Sequence, residues 1–116
     1  MHRDVKLDNI LINKKEQGGG YNVKIADFGM ATFFNNDKNK SLFIKCGTPG
    51  CVAPEILRGE GYDIKCDLFS AGSLLFNLLT GFYLFAGEDN KEILKSNKRC
   101  DLSQVPSVLN GLSKPC

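Results

Sequence analysis

His2-Arg3-Asp4-Val5-Lys6-Leu7-Asp8-Asn9 crowds five ionisable side chains and an amide into eight residues, then runs straight into the strand-like triplet Ile10-Leu11-Ile12. A second such run, Val23-Lys24-Ile25, follows the polar segment from Asn13 to Asn22, and the two read as a hairpin. Gly18-Gly19-Gly20 lies in the connecting loop. It lacks the G-x-G-x-x-G spacing and precedes no helix pattern, so it reads as a flexible loop tip rather than a phosphate cradle. Asp27-Phe28-Gly29 stands just beyond the second run, and Ala53-Pro54-Glu55 comes later. Taken singly, Asp4 reads as a surface turn residue, Lys6 as a solvated cation and Asn9 as a turn former. Their order along one chain carries the information.

Outward from these motifs, residues 30 to 52 show no steady periodicity. They contain the polar run Asn35-Asn36-Asp37-Lys38-Asn39-Lys40 and the turn-rich Gly47-Thr48-Pro49-Gly50. A loop of that length inside a compact domain is usually functional or mobile. Asp63 is placed to cap a helix running to about Thr80 and closed by Gly81. Its apolar residues (Ile64, Leu68, Phe69, Leu74, Leu75, Phe76, Leu78, Leu79) surround the axis, which predicts burial on nearly all sides. A shorter helix is predicted over roughly Asn90 to Asn97. The tail from Asp101 to Cys116 carries Pro106, Gly111 and Pro115 and predicts no complete element.

Composition limits the partners. Fifteen basic against thirteen acidic residues leave a formal net charge of +2, too balanced for a nucleic-acid or membrane-surface binder. The most apolar stretch, Leu68 to Phe85, is broken by Ser70, Gly72, Ser73, Asn77, Thr80 and Gly81, so it reads as a buried helix and not a membrane span. The first residues have no apolar core and are not a secretory signal. Five cysteines are an odd number, none is in a C-x-x-C pair, and His2 is far from them in sequence, which argues against structural zinc. Reduced thiols in a cytoplasmic or otherwise intracellular protein are expected.

The first motif fixes five residues, each with a chance of about one in twenty, so a random match in so short a chain is negligible. Followed in order by Asp27-Phe28-Gly29 and Ala53-Pro54-Glu55, it resembles the eukaryotic protein kinase family. The resemblance covers nearly the whole chain. It extends to Gly47-Thr48-Pro49-Gly50, to Asp67-Leu68-Phe69-Ser70-Ala71-Gly72 in the family's central helix, and to Leu79-Thr80-Gly81, Phe85 and Gly87 after it. The fold it implies is α+β: a partial protein kinase domain over residues 1–116, with the catalytic-loop hairpin, activation segment and buried central helix of the C-terminal lobe and without the small lobe. Lys6 stands where serine/threonine kinases carry lysine, and Thr48 resembles the threonine that bonds the catalytic aspartate in them. The overall pattern is most similar to calcium/calmodulin-dependent-like kinases.

The resemblance implies an ATP- and magnesium-dependent transfer of the γ-phosphate to serine or threonine of a protein substrate. Such a transfer has a loose transition state, so the protein mainly positions groups and neutralises charge. By that resemblance Asp4 accepts the proton of the acceptor hydroxyl and Lys6 offsets charge on the phosphate. Asn9 and Asp27 hold Mg2+, a hard ion suited to amide and carboxylate oxygens. Leu11 lies under the adenine, and Thr48 bonds Asp4.

Departures from the family shape further expectations. The family's glycine-rich loop, strand lysine, partner glutamate and hinge all precede His-Arg-Asp, where this sequence starts, and Met1 fills the apolar position before that motif. The sequence is therefore expected to belong to a longer kinase and to be inactive alone, the rival being a non-catalytic binding fragment. Glu55 is expected to lack its arginine partner, a costly state for a buried carboxylate. Cys51 replaces an aromatic, Phe69 a tryptophan and Leu84 a proline. Asp8 is expected to face the substrate and weakly favour basic residues, with Asn77 lacking the second acid of strongly basophilic relatives. Arg3 marks kinases often switched by activation-loop phosphate. The usual phosphosite position is Ile44, which cannot accept phosphate. Ser41 and Thr32 are the nearest candidates, so control is expected from elsewhere.

Overall fold

The two strand-like runs pair as expected, and further than expected. In the computed structural model, which describes residues 1–34 and 42–110, β1 (Ile10–Lys15) and β2 (Tyr21–Ile25) form an antiparallel hairpin. Ile10 faces Ile25, Leu11 faces Lys24 and Ile12 faces Val23. The register then slips at Asn13, and Lys14 faces Asn22. One extra residue on one strand is a bulge, which twists the ribbon. Glu16 N–H to Gly20 O (2.8 Å) closes the loop that holds the three glycines. The hairpin is exposed on both faces and has no core of its own. It is tied at its base, where Ala26 N–H donates to Asn9 O at 2.8 Å.

Four helices follow: α1 (Pro54–Arg58), α2 (Lys65–Thr80), α3 (Asn90–Arg99) and α4 (Val105–Leu109). α1 has proline in its first turn and ends on Gly59 at φ 77°, a start and stop dictated by local chemistry. α2 begins at Lys65, whose N–H is met by the Asp63 carboxylate at 2.8 Å, and ends on Gly81 at φ 75°. α3 is capped by Asp89, which accepts from Glu92 N–H at 2.9 Å, and runs two residues past the predicted end. α4 lies in the tail where no element was expected; its Val105-Pro106 start suits a first turn.

The core sits where α1, the first turn of α2 and the chain before α1 converge. Val52, Ala53, Ile56, Tyr62 and Cys66 are buried there, with Met1, Leu42, Leu57, Phe69 and Leu94 packed around them. Leu42 and Tyr62 exchange backbone hydrogen bonds (3.1 and 3.2 Å), so the chain on either side of α1 is stitched together.

α2 departs from the expectation of burial on nearly all sides. Its buried residues are Cys66, Ser70 and Ser73, whereas Leu68 is 70% exposed and Leu75, Leu78 and Leu79 are all more than half exposed. Small side chains face inward because loop backbones approach the helix closely on that side; the leucines project from the other. So large an apolar surface is unusual on a soluble monomer. A protein restricted to residues 1–116 is expected to bind a hydrophobic dye and to melt without a sharp transition. A monomer that unfolds cooperatively and leaves the dye dark would contradict this.

Candidate active site

Arg3 has φ 68°, in the left-handed region that costs a non-glycine residue roughly 1–2 kcal/mol. The Asp67 carboxylate explains it. From the first turn of α2, one oxygen accepts from His2 N–H and the other from Arg3 N–H, both at 2.7 Å. Hydrogen bonds to a charged acceptor are worth about 1.5–3 kcal/mol each, so the pair outweighs the strain. His2 locks the same turn from within. Its Nε2 lies 3.0 Å from Ala26 O and its Nδ1 accepts from Asp4 N–H at 3.3 Å, which the tautomer protonated on Nε2 satisfies. Phe28 packs edge-on against the ring, with centroids 4.9 Å apart.

So held, the buried Asp4 carboxylate becomes the hub of a small polar network. Thr48 Oγ1 donates to Oδ1 at 2.6 Å, and Lys6 Nζ lies 3.1 Å from Oδ2. Lys6 also donates to Thr48 Oγ1 at 3.1 Å. Asn9 Nδ2 donates to Asp4 O at 2.9 Å and reaches Oδ2 at 3.4 Å. Burial on its own pushes the Asp4 carboxyl up, but the hydrogen bonds from Thr48 and Lys6, the Lys6 charge and the Asn9 amide together hold it below its ordinary 3.8. Lys6 is pushed above its ordinary 10.5 chiefly by its hydrogen bond to Asp4, against a smaller opposing effect of burial, with the charges of Asp4, Asp8 and Asp27 adding to the rise. The pair is thus ionised across the whole neutral range.

The Asn9–Ala26 hydrogen bond brings Asp27 beside this network. Asp27 is itself left-handed (φ 59°), with Oδ1 accepting from Gly29 N–H at 3.1 Å. Among the described residues, Oδ2 of Asp27 and Oδ1 of Asn9 accept no hydrogen bond, so each presents a free oxygen. One amide and one carboxylate oxygen suit Mg2+, which is bound through one or two protein groups together with substrate phosphates. Among the described residues no three His, Cys, Asp or Glu side chains cluster as a self-sufficient metal cage. Leu11 stands two residues beyond Asn9 on the exposed hairpin.

Thr48 opens a tight loop in which its carbonyl accepts from both Cys51 and Val52 N–H at 3.0 Å. Gly47, at φ 113°, sits in a conformation that strains any side chain, and a Cβ there would press on Val52 Cβ at 3.1 Å and Arg3 O at 3.2 Å. Beside Lys6 and Thr48 opens a cavity of about 490 Å³, lined also by Asp8, Cys51, Asn77 and Tyr83. Asp8 therefore lines the cavity. Burial pushes the Cys51 thiol up, and the nearby Asp4 charge adds to that.

The protein kinase domain profile matches residues 1–114. The chain is 44% identical over 103 residues to a probable serine/threonine-protein kinase 2 of Plasmodium falciparum, covering 89% of this chain and 19% of that protein. It is 44% identical over 92 residues to a serine/threonine-protein kinase of Drosophila melanogaster (79% of this chain, 12% of the relative). A probable serine/threonine-protein kinase of Dictyostelium discoideum is 38% identical over 107 residues (92% and 8%). The chain belongs to the protein kinase family. These relatives carry the name serine/threonine-protein kinase, and the chain spans less than a fifth of their length.

The Arg3 side chain is already engaged. Its Nε donates to Met30 O at 2.6 Å and its guanidinium reaches Tyr62 Oη at 3.3 Å. Tyr62 in turn donates to Ile44 O at 2.7 Å. Ile44 is thus fixed through its backbone while its side chain is exposed. Thr32 is half-buried near Met1, to whose carbonyl its N–H donates at 3.0 Å, and Ser41 lies outside the described residues. Glu55 is half-buried and forms no ion pair among the described residues. Phe69 stacks on Phe85 with centroids 6.2 Å apart. The sequence reading found Asp4, Lys6, Asn9, Asp27 and Thr48, which the fold brings together; it missed Tyr62 and the clamping role of Asp67. No local signal marks either, since both act across long stretches of chain. Asp67→Asn is expected to lower stability by about 2 kcal/mol, by replacing two charge-assisted bonds with at most one neutral one. Chemical denaturation of the full-length protein measures it, and an unchanged midpoint would contradict it.

Proposed function

We propose that the full-length protein carrying this chain transfers the γ-phosphate of ATP to serine or threonine hydroxyls of proteins. The observation that carries this reading is the Asp4 carboxylate, held ionised between Thr48 at 2.6 Å and Lys6 at 3.1 Å. Asp4 serves as the base: it takes the proton of the acceptor hydroxyl and orients that oxygen toward the phosphorus. Lys6 offsets charge on the transferred phosphoryl group, while Thr48 fixes the carboxylate and the ammonium relative to each other. Asn9 and Asp27 hold Mg2+ through the free oxygens described above. The metal, when bound, neutralises phosphate charge. Leu11 supplies an apolar surface for the adenine, and the cavity beside Lys6 and Asp8 receives the protein substrate.

On this reading residues 1–116 are the part of a kinase domain that runs from the catalytic loop past α2. The net charge is near balance, and no helix among the described residues is long and apolar enough to cross a bilayer. Cys46, Cys51, Cys66 and Cys100 are free thiols, which supports an intracellular setting. Burial and the Asp67 charge push the Cys66 thiol up to about 12, so that residue is an inert core group.

In the full-length protein, Asp4→Asn is expected to lower kcat by about a thousand-fold or more with ATP binding nearly unchanged. Asp27→Asn is expected to raise the magnesium concentration needed for activity, because it removes a ligand and leaves the base. Steady-state kinetics over a magnesium titration separates them, and identical profiles would contradict the two roles. The engagement of Arg3 by Met30 and Tyr62 also supports control from outside the activation loop. Ser41→Ala is expected to keep activity within about three-fold of wild type, an ordinary surface effect. A collapse that an acidic substitute restores would identify Ser41 as the switch.

A further inference from the structure

Asn97 is a polar side chain with no exposure at all, in the last turn of α3, between a helix face of exposed Lys91, Lys95, Lys98 and Arg99 and the half-buried Ile93 and Leu94. Nothing in the catalytic arrangement uses it directly. Both ends of its amide are spent on one loop: Oδ1 accepts from Gly50 N–H at 3.1 Å and Nδ2 donates to Val52 O at 2.9 Å. From the opposite side α2 supplies Ser73, itself buried, whose Oγ donates to Gly50 O at 2.8 Å. Thr48 O already accepts from Cys51 and Val52 N–H, and Pro49 has no N–H to place. Within the loop Thr48 O closes the turn, and Gly50 N–H, Gly50 O and Val52 O are met from outside it by Asn97 and Ser73. Gly50 is at φ 83°, and a Cβ there would touch Ile93 Cγ2 at 3.6 Å, so α3 also packs against the loop sterically.

What the clamp holds is the Thr48 hydroxyl, which contacts both Asp4 and Lys6, together with one wall of the 490 Å³ cavity. No residue of the clamp touches the Asn9–Asp27 side. We propose that Asn97 and Ser73 are positioning residues that fix the Thr48–Val52 loop, and so the acceptor side of the site, independently of the nucleotide side. This rests on the kinase reading given above. Removing the amide strands a buried donor and a buried acceptor, and the loop relaxes to hydrate them. The loop then no longer presents Thr48 and the cavity wall in register with Asp4.

The test uses the full-length protein with a basic serine peptide as acceptor. Asn97→Ala is expected to raise the peptide KM about ten-fold or more, while the ATP KM stays within about two-fold. Ser73→Ala, a milder change that guards against misfolding of the first variant, is expected to raise the peptide KM about three-fold, and Ser73→Thr, which keeps the hydroxyl, to restore it. Hydrogen exchange over residues 48–52 is expected to speed up in both alanine variants and not in Ser73→Thr. Peptide and ATP constants that worsen together, or exchange that is unchanged at 48–52, would overturn the proposal. A wild-type protein that phosphorylates no peptide, with the exchange effect intact, would overturn the kinase reading and the acceptor role while leaving the clamp.

Discussion

Two backbone N–H groups meeting one carboxylate, His2 and Arg3 on Asp67, close a loop across some 65 residues of chain. Without that acceptor the turn would hold strained backbone and two unmet donors, favoured locally by the Asp4 N–H to His2 Nδ1 bond alone. With it, Arg3 takes its left-handed conformation and Asp4 follows in a fixed direction. The consequences run outward from that turn. His2 is set to bind Ala26, which places Asp27 beside Asn9. Lys6, two residues past Asp4 on extended backbone, points to the same side as the carboxylate. A single first-turn residue of α2 thereby organises both the catalytic loop and the base of the hairpin.

The same turn aims Arg3 at the other half of the site. Burial by itself disfavours the guanidinium charge, but the hydrogen bond from Arg3 to Tyr62 and the electrostatic attraction of Cys46, Tyr62 and Cys66 more than offset it. Tyr62 belongs to the core, bridges to Leu42 and holds Ile44 O. The chain approaching Gly47 is therefore tied to Arg3 through internal contacts, and the loop that carries Thr48 starts from a defined point. Ion pairing with a phosphate is one way to order such a segment. Here a carbonyl, a phenol and a short β-bridge do it instead.

What could be read from the sequence was whatever local chemistry encodes. The hairpin, the span of α2 and the start of α3 follow from β-branched runs, an acidic cap and a closing glycine. Asp4, Lys6, Asn9, Asp27 and Thr48 were legible because their motifs are short and ordered. α1 was missed although Pro54 and Gly59 bracket it, because five residues hold too few apolar positions to show a period. α4 was missed for the same reason. Asn97, Ser73, Tyr62 and the role of Asp67 were not legible because each acts on a backbone group 18 to 65 residues away, and nothing in their neighbourhoods records that. The burial of α2 was misjudged for a related cause. Apolar residues around a helix axis show that it needs cover, not which face receives it.

That misjudgement bears on how the site is built. α2 holds the His2–Asp4 turn through Asp67 and the Thr48–Val52 loop through Ser73, both on its inward face of small and polar residues. The inward face contributes specific hydrogen bonds but little apolar burial, because Cys66, Ser70 and Ser73 have little apolar area to bury. The area that could stabilise the helix lies on the outward leucines, at roughly 25 cal/mol for each Å² removed from water. Positioning and stabilisation are thus divided between two faces of one helix. Whatever covers the leucines binds the ordered helix in preference to the frayed one and shifts the equilibrium toward it by mass action. The geometry around Asp4 is then coupled to that outer surface without any contact between them, through the rigidity of the sixteen residues they share.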